Sequence, residues 1–331
     1  MRVGVIGAGA VGGAIAALLA RAGHDVEVTA RGAHLEAISE SGIRLTGAWG
    51  EYTARVTAND VLTRAPELVI VTTKAQDAVA AIRENVALLR GIPVVVVQNG
   101  LDGISSASAA SPRSDIVGAL ATFASSYLSP GEITVTAGGP SYLGVAAHES
   151  DVPARYAARI LASVMPVAVI PNFAGAQWTK LVVNQVNALP AITGLSVQEV
   201  VGNGRLRRIM TASMRECVRT ALRSHVQFEP LQGLGHGGLR LFGALPLWIG
   251  QVLPVLMTRR MGSTPNPGST LQSIRRGQAT EIDYLNGAVV RAAEAIGRTA
   301  PVNALLVRLV HEVEDWGEFF SADEVVDRYR A

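Results

Sequence analysis

In the first 170 positions apolar residues come in short, nearly continuous runs: RVGVIG (2–7), DVEVTA (25–30), ELVIVTT (67–73) and IPVVVVQ (92–98). Runs this rich in Val and Ile predict strands covered on both faces, hence a parallel sheet. Residues 10–22, 33–40 and 75–90 lie between them with helical spacing, so the alternation reads as βαβ units. Residues 42–56 predict a small β excursion. Residues 116–146, with turns at SPGE and AGGPS, predict antiparallel additions at the sheet edge. VMPVAVIP (164–171) predicts a last strand, and Pro171 marks a domain boundary. Beyond it the periodicity becomes helical, over 173–193, 203–225, 240–260, 268–278, 283–297 and 301–317. Gly- and Pro-rich stretches at 230–238 and 262–268 read as ordered loops. The expectation is an α/β domain over 1–171 and an all-α domain over 172–331.

The totals agree with two buried cores. The chain has 331 residues, 49% of them hydrophobic and 17% charged, which excludes a disordered chain. A net charge of +2 carries no nucleic-acid signal. Cys217 is the single cysteine, so no intramolecular disulfide can form. That suits a reducing, cytoplasmic setting, and its helical surroundings predict a buried, inert thiol. The apolar start resembles a secretory leader, but Gly4, Gly7, Gly9, Gly12 and Gly13 interrupt it. A second apolar run, LFGALPLWIGQVLPVLM (241–257), is short for a membrane span and contains Pro246, Gln251 and Pro254. It predicts no membrane span but a buried or intersubunit helix, and with the latter a homodimer.

Candidate chemistry begins at GAGAVG, residues Gly7, Ala8, Gly9, Ala10, Val11 and Gly12. The G-x-G-x-x-G pattern follows a strand and opens a helix, the context that dinucleotide binding demands. Gly7 would allow the tight turn, Gly9 the approach of a pyrophosphate, and Gly12 close helix–strand packing. The α/β half is therefore expected to be a Rossmann-type parallel sheet. Selectivity for NAD would need a carboxylate at the tip of the second strand. That strand ends VTARG, with Arg31 at the tip and Glu27 back inside the strand. A guanidinium suits a 2′-phosphate, so the cofactor expected is NADP(H). Arg31 also reads as an ordinary surface arginine. Lys74 and Asn99 follow two further strands, where ligands of open α/β sheets collect.

In the helical half, WTKLVVNQVNALPAITG (178–194) puts Lys180, Asn184 and Asn187 on one polar stripe of an apolar helix, either solvated or lining a site. Pro190 should kink or end that helix. Ser269 and Glu281 fall in PGSTLQSIRRGQATEIDYLNG (267–287), where each also reads as a simple helix-end residue. The His and Cys positions show no metal-ligand spacing, so no metal is expected.

In this order, the glycine motif, VTARG, VTTKAQD, VQNG, KLVVN and GSTLQSIRRGQATEIDYLNG resemble the ketopantoate reductase (2-dehydropantoate 2-reductase) family over nearly the whole chain. The resemblance implies NADPH-dependent reduction of a 2-keto acid, ketopantoate to D-pantoate, on the route to pantothenate. It implies Lys180 as catalytic lysine and Glu281 as active-site glutamate. Asn184 and Ser269 become substrate ligands, joined by Asn187 and Asn99. Lys74 and Asn99 would stand near the nicotinamide and Arg31 at the 2′-phosphate. The family pattern has its second asparagine four residues after the first; here the interval from Asn184 to Asn187 is three. With a long apolar segment at 229–262, this leaves a different 2-keto acid or an imine open as substrate. A non-catalytic NADPH-binding regulator is the reading outside enzymes.

Overall fold

The computed structural model describes residues 1–262 and 264–331; Ser263, within the loop expected at 262–268, lies outside the described residues. The chain divides into two compact units, Met1–Phe173 and Ala174–Ala331.

The first unit alternates strand and helix as the apolar runs require. It runs β1 (Arg2–Ile6), α1 (Ala10–Arg21), β2 (Asp25–Thr29), α2 (Gly32–Ser41), β3 (Ile43–Gly47), β4 (Tyr52–Ala54), β5 (Thr57–Asn59), β6 (Leu68–Val71), α3 (Ala75–Asn85) and β7 (Pro93–Val97). Then follow α4 (Gly103–Ala110), β8 (Asp115–Ala121), β9 (Ala124–Ser129), β10 (Glu132–Ala137), β11 (Ser141–Gly144), α5 (Val152–Leu161) and β12 (Val167–Val169). Eight strands form the main sheet in the order β12-β11-β8-β7-β6-β1-β2-β5. From β5 to β8 neighbours are parallel; β11 runs antiparallel to β8. The parallel sheet with an antiparallel edge is thus the fold class the sequence implied.

Residues 116–146 do not all join that edge. β8 extends the parallel ladder, whereas β9 and β10 leave it and pair with β3 and β4 in a second sheet, β4-β3-β10-β9. This second sheet packs on α1. Helix α1 is therefore covered both by the main sheet and by the second one, and its residues from Gly12 to Leu19 are buried. A helix apolar on every face is a helix buried on every face, which accounts for the leader-like composition of the chain start. The approach is close: a Cβ on Gly13 would lie 2.9 Å from Ile133 on β10.

The second unit contains helices and short 3-10 turns. Its elements are α6 (Phe173–Asn184, whose first residue belongs to the first unit), α7 (Ala188–Thr193), α8 (Val197–Gly202), α9 (Gly204–Arg223), α10 (His236–Ala244), α11 (Leu247–Gly250) and α12 (Val252–Arg260). They continue with α13 (Gly268–Arg275), α14 (Asn286–Ala295), α15 (Pro301–Trp316) and α16 (Ala322–Arg330). Helix α9 carries the core, burying Leu206, Ile209, Met210, Met214 and Val218 against its neighbours. The break that Pro190 demands falls just before it. Residues Gln185–Asn187 tighten into a 3-10 turn, and Pro190 sits in the first turn of α7, where its missing N–H costs nothing.

The apolar run 241–257 does not form the one continuous helix expected. Leu245 is extended and Pro246 restarts the chain, so the run is split among α10, α11 and α12. Leu241, Trp248, Val252 and Leu256 are exposed in the single chain. Among the described residues no helix is long and apolar enough to cross a membrane.

Candidate active site

The glycine turn between β1 and α1 is fixed by its own backbone. Gly7 has φ +97°, a conformation that L side chains rarely adopt. Its N–H donates to Thr29 Oγ1 at 3.0 Å, and its carbonyl accepts from Thr72 Oγ1 at 2.5 Å. A Cβ on Gly12 would stand 2.1 Å from the Gly7 oxygen, so helix and turn meet where only glycine fits. Gly9, in contrast, faces open space, with nothing within 4 Å of its missing side chain. The first-turn N–H groups of α1, from Ala10 on, have no intrahelical acceptor and point toward that end. Thr73 Oγ1, beside Gly7, is buried with no hydrogen-bond partner among the described residues. An open approach, free first-turn donors and an unmatched hydroxyl fit a dinucleotide pyrophosphate.

His34 is a support that the sequence reading missed. Its Nδ1 accepts from Gly131 N at 3.0 Å, so the ring proton lies on Nε2, which donates to Ala8 O at 2.7 Å. One neutral imidazole thus ties the glycine turn to the β9–β10 turn. Nothing in the local pattern of GAHLEA marks that role, because the partner is 97 residues away.

The strand tip is as the sequence reading placed it. Arg31 precedes α2, largely exposed, and pairs with the exposed Glu84 of α3 at 3.1 Å. A pair this solvated is weak and easily exchanged for a phosphate. Glu27 is buried and occupied, accepting from Asn59 Nδ2, Thr63 N, Thr63 Oγ1 and Arg64 N. Burial pushes its carboxyl up, but these hydrogen bonds outweigh burial and hold it below the usual range. Glu27 organises the 59–64 loop and does not present itself to a ribose. Lys74 immediately precedes α3, and Asn99 follows β7 next to Gly100, whose φ is +85°.

In the second unit, Lys180 and Asn184 stand one turn apart on α6, both half-buried. Burial lowers the Lys180 pKa to about 8, and the nearby charge of Glu281 opposes that fall. Glu281 itself ends the stretch before the 3-10 turn Ile282–Tyr284, and its carbonyl accepts from Tyr284 N and Leu285 N. Ser269 is exposed at the second position of α13, whose N-cap is Pro267. Its side chain therefore does not perform the simple capping role. Asn187 closes the 3-10 turn that follows α6, three residues after Asn184, a spacing at which side chains of a 3-10 turn eclipse. Asn187 is buried, and a Cβ on Gly268 would lie 2.5 Å from its Oδ1. It packs on the start of the helix that bears Ser269. Burial pushes the Cys217 thiol far up, so it is inert. Among the described residues no His, Cys, Asp and Glu cluster could hold a metal ion.

One signal in the composition was passed over in the sequence reading. The chain has 27 arginines and only two lysines, Lys74 and Lys180. Wherever any cation serves, this protein uses arginine. Lysine differs in that it can lose its proton near neutral pH when buried, and arginine cannot.

A Rossmann sheet with a dinucleotide-type glycine turn, joined in sequence to a helical unit holding a low-pKa lysine beside a carboxylate, defines a nucleotide-dependent oxidoreductase. Comparison narrows the class. The family described as Ketopantoate reductase PanE/ApbA matches residues 3–148, and its C-terminal counterpart matches residues 172–314. The chain belongs to the ketopantoate reductase family. The 2-dehydropantoate 2-reductase of Pyrococcus horikoshii is 26% identical over 321 residues, covering 96% of this chain and 99% of the relative. That of Archaeoglobus fulgidus is 28% identical over 318 residues, covering 95% and 98%. Among solved structures, a PanE/ApbA family ketopantoate reductase from Ralstonia eutropha JMP134 superposes with a TM-score of 0.80 at 29% identity, covering 96% of this chain and 99% of that one. D-mandelate dehydrogenase, solved with NADH and anilino(oxo)acetate, shares the fold with a TM-score of 0.83 at 20% identity and the same coverage.

Proposed function

We propose that the protein reduces the 2-keto group of ketopantoate, with NADPH as hydride donor and Lys180 as general acid. The observation that carries the chemistry is the half-buried ammonium of Lys180, with its pKa lowered to about 8 by burial and Glu281 alongside. An acid of that strength is charged at neutral pH yet gives up its proton readily. The names of the relatives support the substrate.

When bound, NADPH supplies the hydride that reaches C2 of the keto acid. The first-turn N–H groups of α1 and the open face of Gly9 hold its pyrophosphate, and Arg31 exchanges Glu84 for its 2′-phosphate. Lys74 and Asn99, at the ends of β6 and β7, bind toward its nicotinamide end. In the second unit Lys180 donates a hydrogen bond to the keto oxygen and stabilises the charge growing there. Its proton then moves to that oxygen, leaving a 2-hydroxy acid and a neutral amine that regains a proton from solvent. Glu281 keeps the lysine charged and oriented. Asn184 and Ser269 hold the substrate's polar groups so that one face receives hydride, and Asn187 secures the helix that carries Ser269. The reaction belongs in the cytoplasm, where the chain's unpaired cysteine stays reduced.

The test is NADPH consumption with a panel of 2-keto acids that includes ketopantoate. Turnover of ketopantoate at about 10⁴ M⁻¹s⁻¹ or above is expected. Faster turnover of another keto acid would reassign the substrate. Tight NADPH binding with no turnover would overturn the enzyme reading in favour of a regulator.

A further inference from the structure

Beneath the site the second unit buries a closed set of polar side chains. Gln185, Ser213, Asn286 and Asn303 are all fully buried. Their orientations determine one another. Gln185 Nε2 donates to Leu181 O at 3.0 Å, so its Oε1 points inward. Asn303 Nδ2 donates to Ser213 O and to Glu216 Oε2, so its Oδ1 also points inward. Asn286 Nδ2 meets both, at 2.8 Å to Gln185 Oε1 and 2.9 Å to Asn303 Oδ1. Ser213 Oγ lies 2.9 Å from each of the same two oxygens. Asn286 Oδ1 is left buried with no partner among the described residues.

Stability alone does not call for this arrangement. Apolar side chains of the same size would fill the space without an unmatched oxygen. What distinguishes the set is where it attaches. Gln185 is the first residue after α6 and lies five residues beyond Lys180; Asn286 opens α14 and lies five residues beyond Glu281. The two connections differ. Lys180 and Gln185 are joined by the last turn of α6, whereas Glu281 and Asn286 are separated by the 3-10 turn Ile282–Tyr284 and by Leu285, with φ −103° and ψ −91°. Helical hydrogen bonding therefore carries the position of Lys180 to Gln185 but does not by itself fix Glu281 to the core. On its other side the Glu281 turn is held to α15, through Thr280 N to Glu314 at 2.7 Å and His311 to Asp283 at 3.1 Å. The Gln185–Asn286 hydrogen bond ties it to the end of α6.

We propose that Gln185 and Asn286 are positioning residues whose buried hydrogen bond sets the separation of the Lys180 ammonium from the Glu281 carboxylate. The proposal rests on the reading of Lys180 as the acid, and its test does not depend on turnover. Moving Glu281 away removes a stabilising charge, so the lysine should titrate lower. With two lysines in the chain, protein labelled with 15N-lysine gives two side-chain signals, and the Lys74→Arg variant assigns Lys180.

The Asn286→Leu and Gln185→Met variants, singly and together, are titrated and assayed. Lys180 should titrate near 8 in the parent and about half a unit or more lower in each variant. The value of kcat on ketopantoate should fall about tenfold or more with KM for NADPH unchanged. The double variant should lose no more than the worse single, because both remove one interaction. Unaltered Lys180 titration and kcat, with only a lower melting temperature, would reduce the set to core packing and overturn the proposal. If Asn286→Leu fails to fold, Gln185→Met leaves Asn286 bonded to Asn303 and decides the matter alone. If the parent turns over no keto acid, the reductase reading fails, and the lysine titration still judges the clamp.

Discussion

The two units build their candidate sites by opposite means. In the first, the glycine turn is a local object: residues 7 to 13 in sequence are residues 7 to 13 in space, and backbone N–H groups carry the chemistry. In the second, Lys180 and Glu281 are a hundred residues apart in the chain and meet only because helices pack. A backbone site tolerates side-chain change but not the loss of a glycine. A side-chain site has the reverse sensitivity, and it depends on whatever fixes the helices beneath it.

Substitutions that exchange these sensitivities test the contrast, and the largest effect belongs at Gly12. A Cβ 2.1 Å from the Gly7 oxygen cannot be accommodated by a rotamer change. Gly12→Val should abolish NADPH binding in a fluorescence titration and lower the melting temperature. Retained affinity would mean that the turn is not the cofactor cradle.

Next comes Lys180→Arg, which preserves charge but not an available proton. If the amine acts as acid, kcat should fall about 10²-fold or more, nearly as far as in Lys180→Ala, with NADPH affinity intact. Near-parental turnover would show that charge suffices and would remove proton transfer from the role of Lys180. In the parent enzyme the protonated amine is the active form for reduction. Its folded pKa lies near 8, so kcat should hold below that value and fall about tenfold per unit above it. A profile flat through pH 9 would contradict the assignment.

Arg31→Ala should have a smaller effect, weakening NADPH about tenfold more than NADH, since only the former has the 2′-phosphate. Equal losses would mean that Arg31 does nothing beyond its exposed pair with Glu84. The smallest effect is expected at Glu27→Gln. The buried carboxylate holds Thr63, Asn59 and Arg64 and turns no face to a ribose. Its replacement should cost stability, read as a lower melting temperature, and leave the NADPH-to-NADH preference unchanged.

Much of the fold was legible because strand and helix periods are local. The Val-rich runs became parallel strands, and helical periodicity beyond residue 173 became helices. The second sheet was not legible. β3 and β10 lie nearly ninety residues apart, and their pairing depends on covering α1, which no local window reveals. The division of 241–257 into three helices was also not legible, because apolar composition reports what a chain would bury and not where its helices break, and four of its large apolar residues stay exposed in the single chain.

By itself the sequence determined the alternation of elements, the glycine turn and the set of residue types that chemistry could use, because each depends on near neighbours and on side-chain identity. Tertiary structure alone decided that burial would weaken the Lys180 base and that Asn187 would pack on Gly268. It also decided that Gln185 would meet Asn286. Proton affinity and hydrogen-bond partnership depend on what surrounds a group in space, and that is settled only when distant helices close on one another.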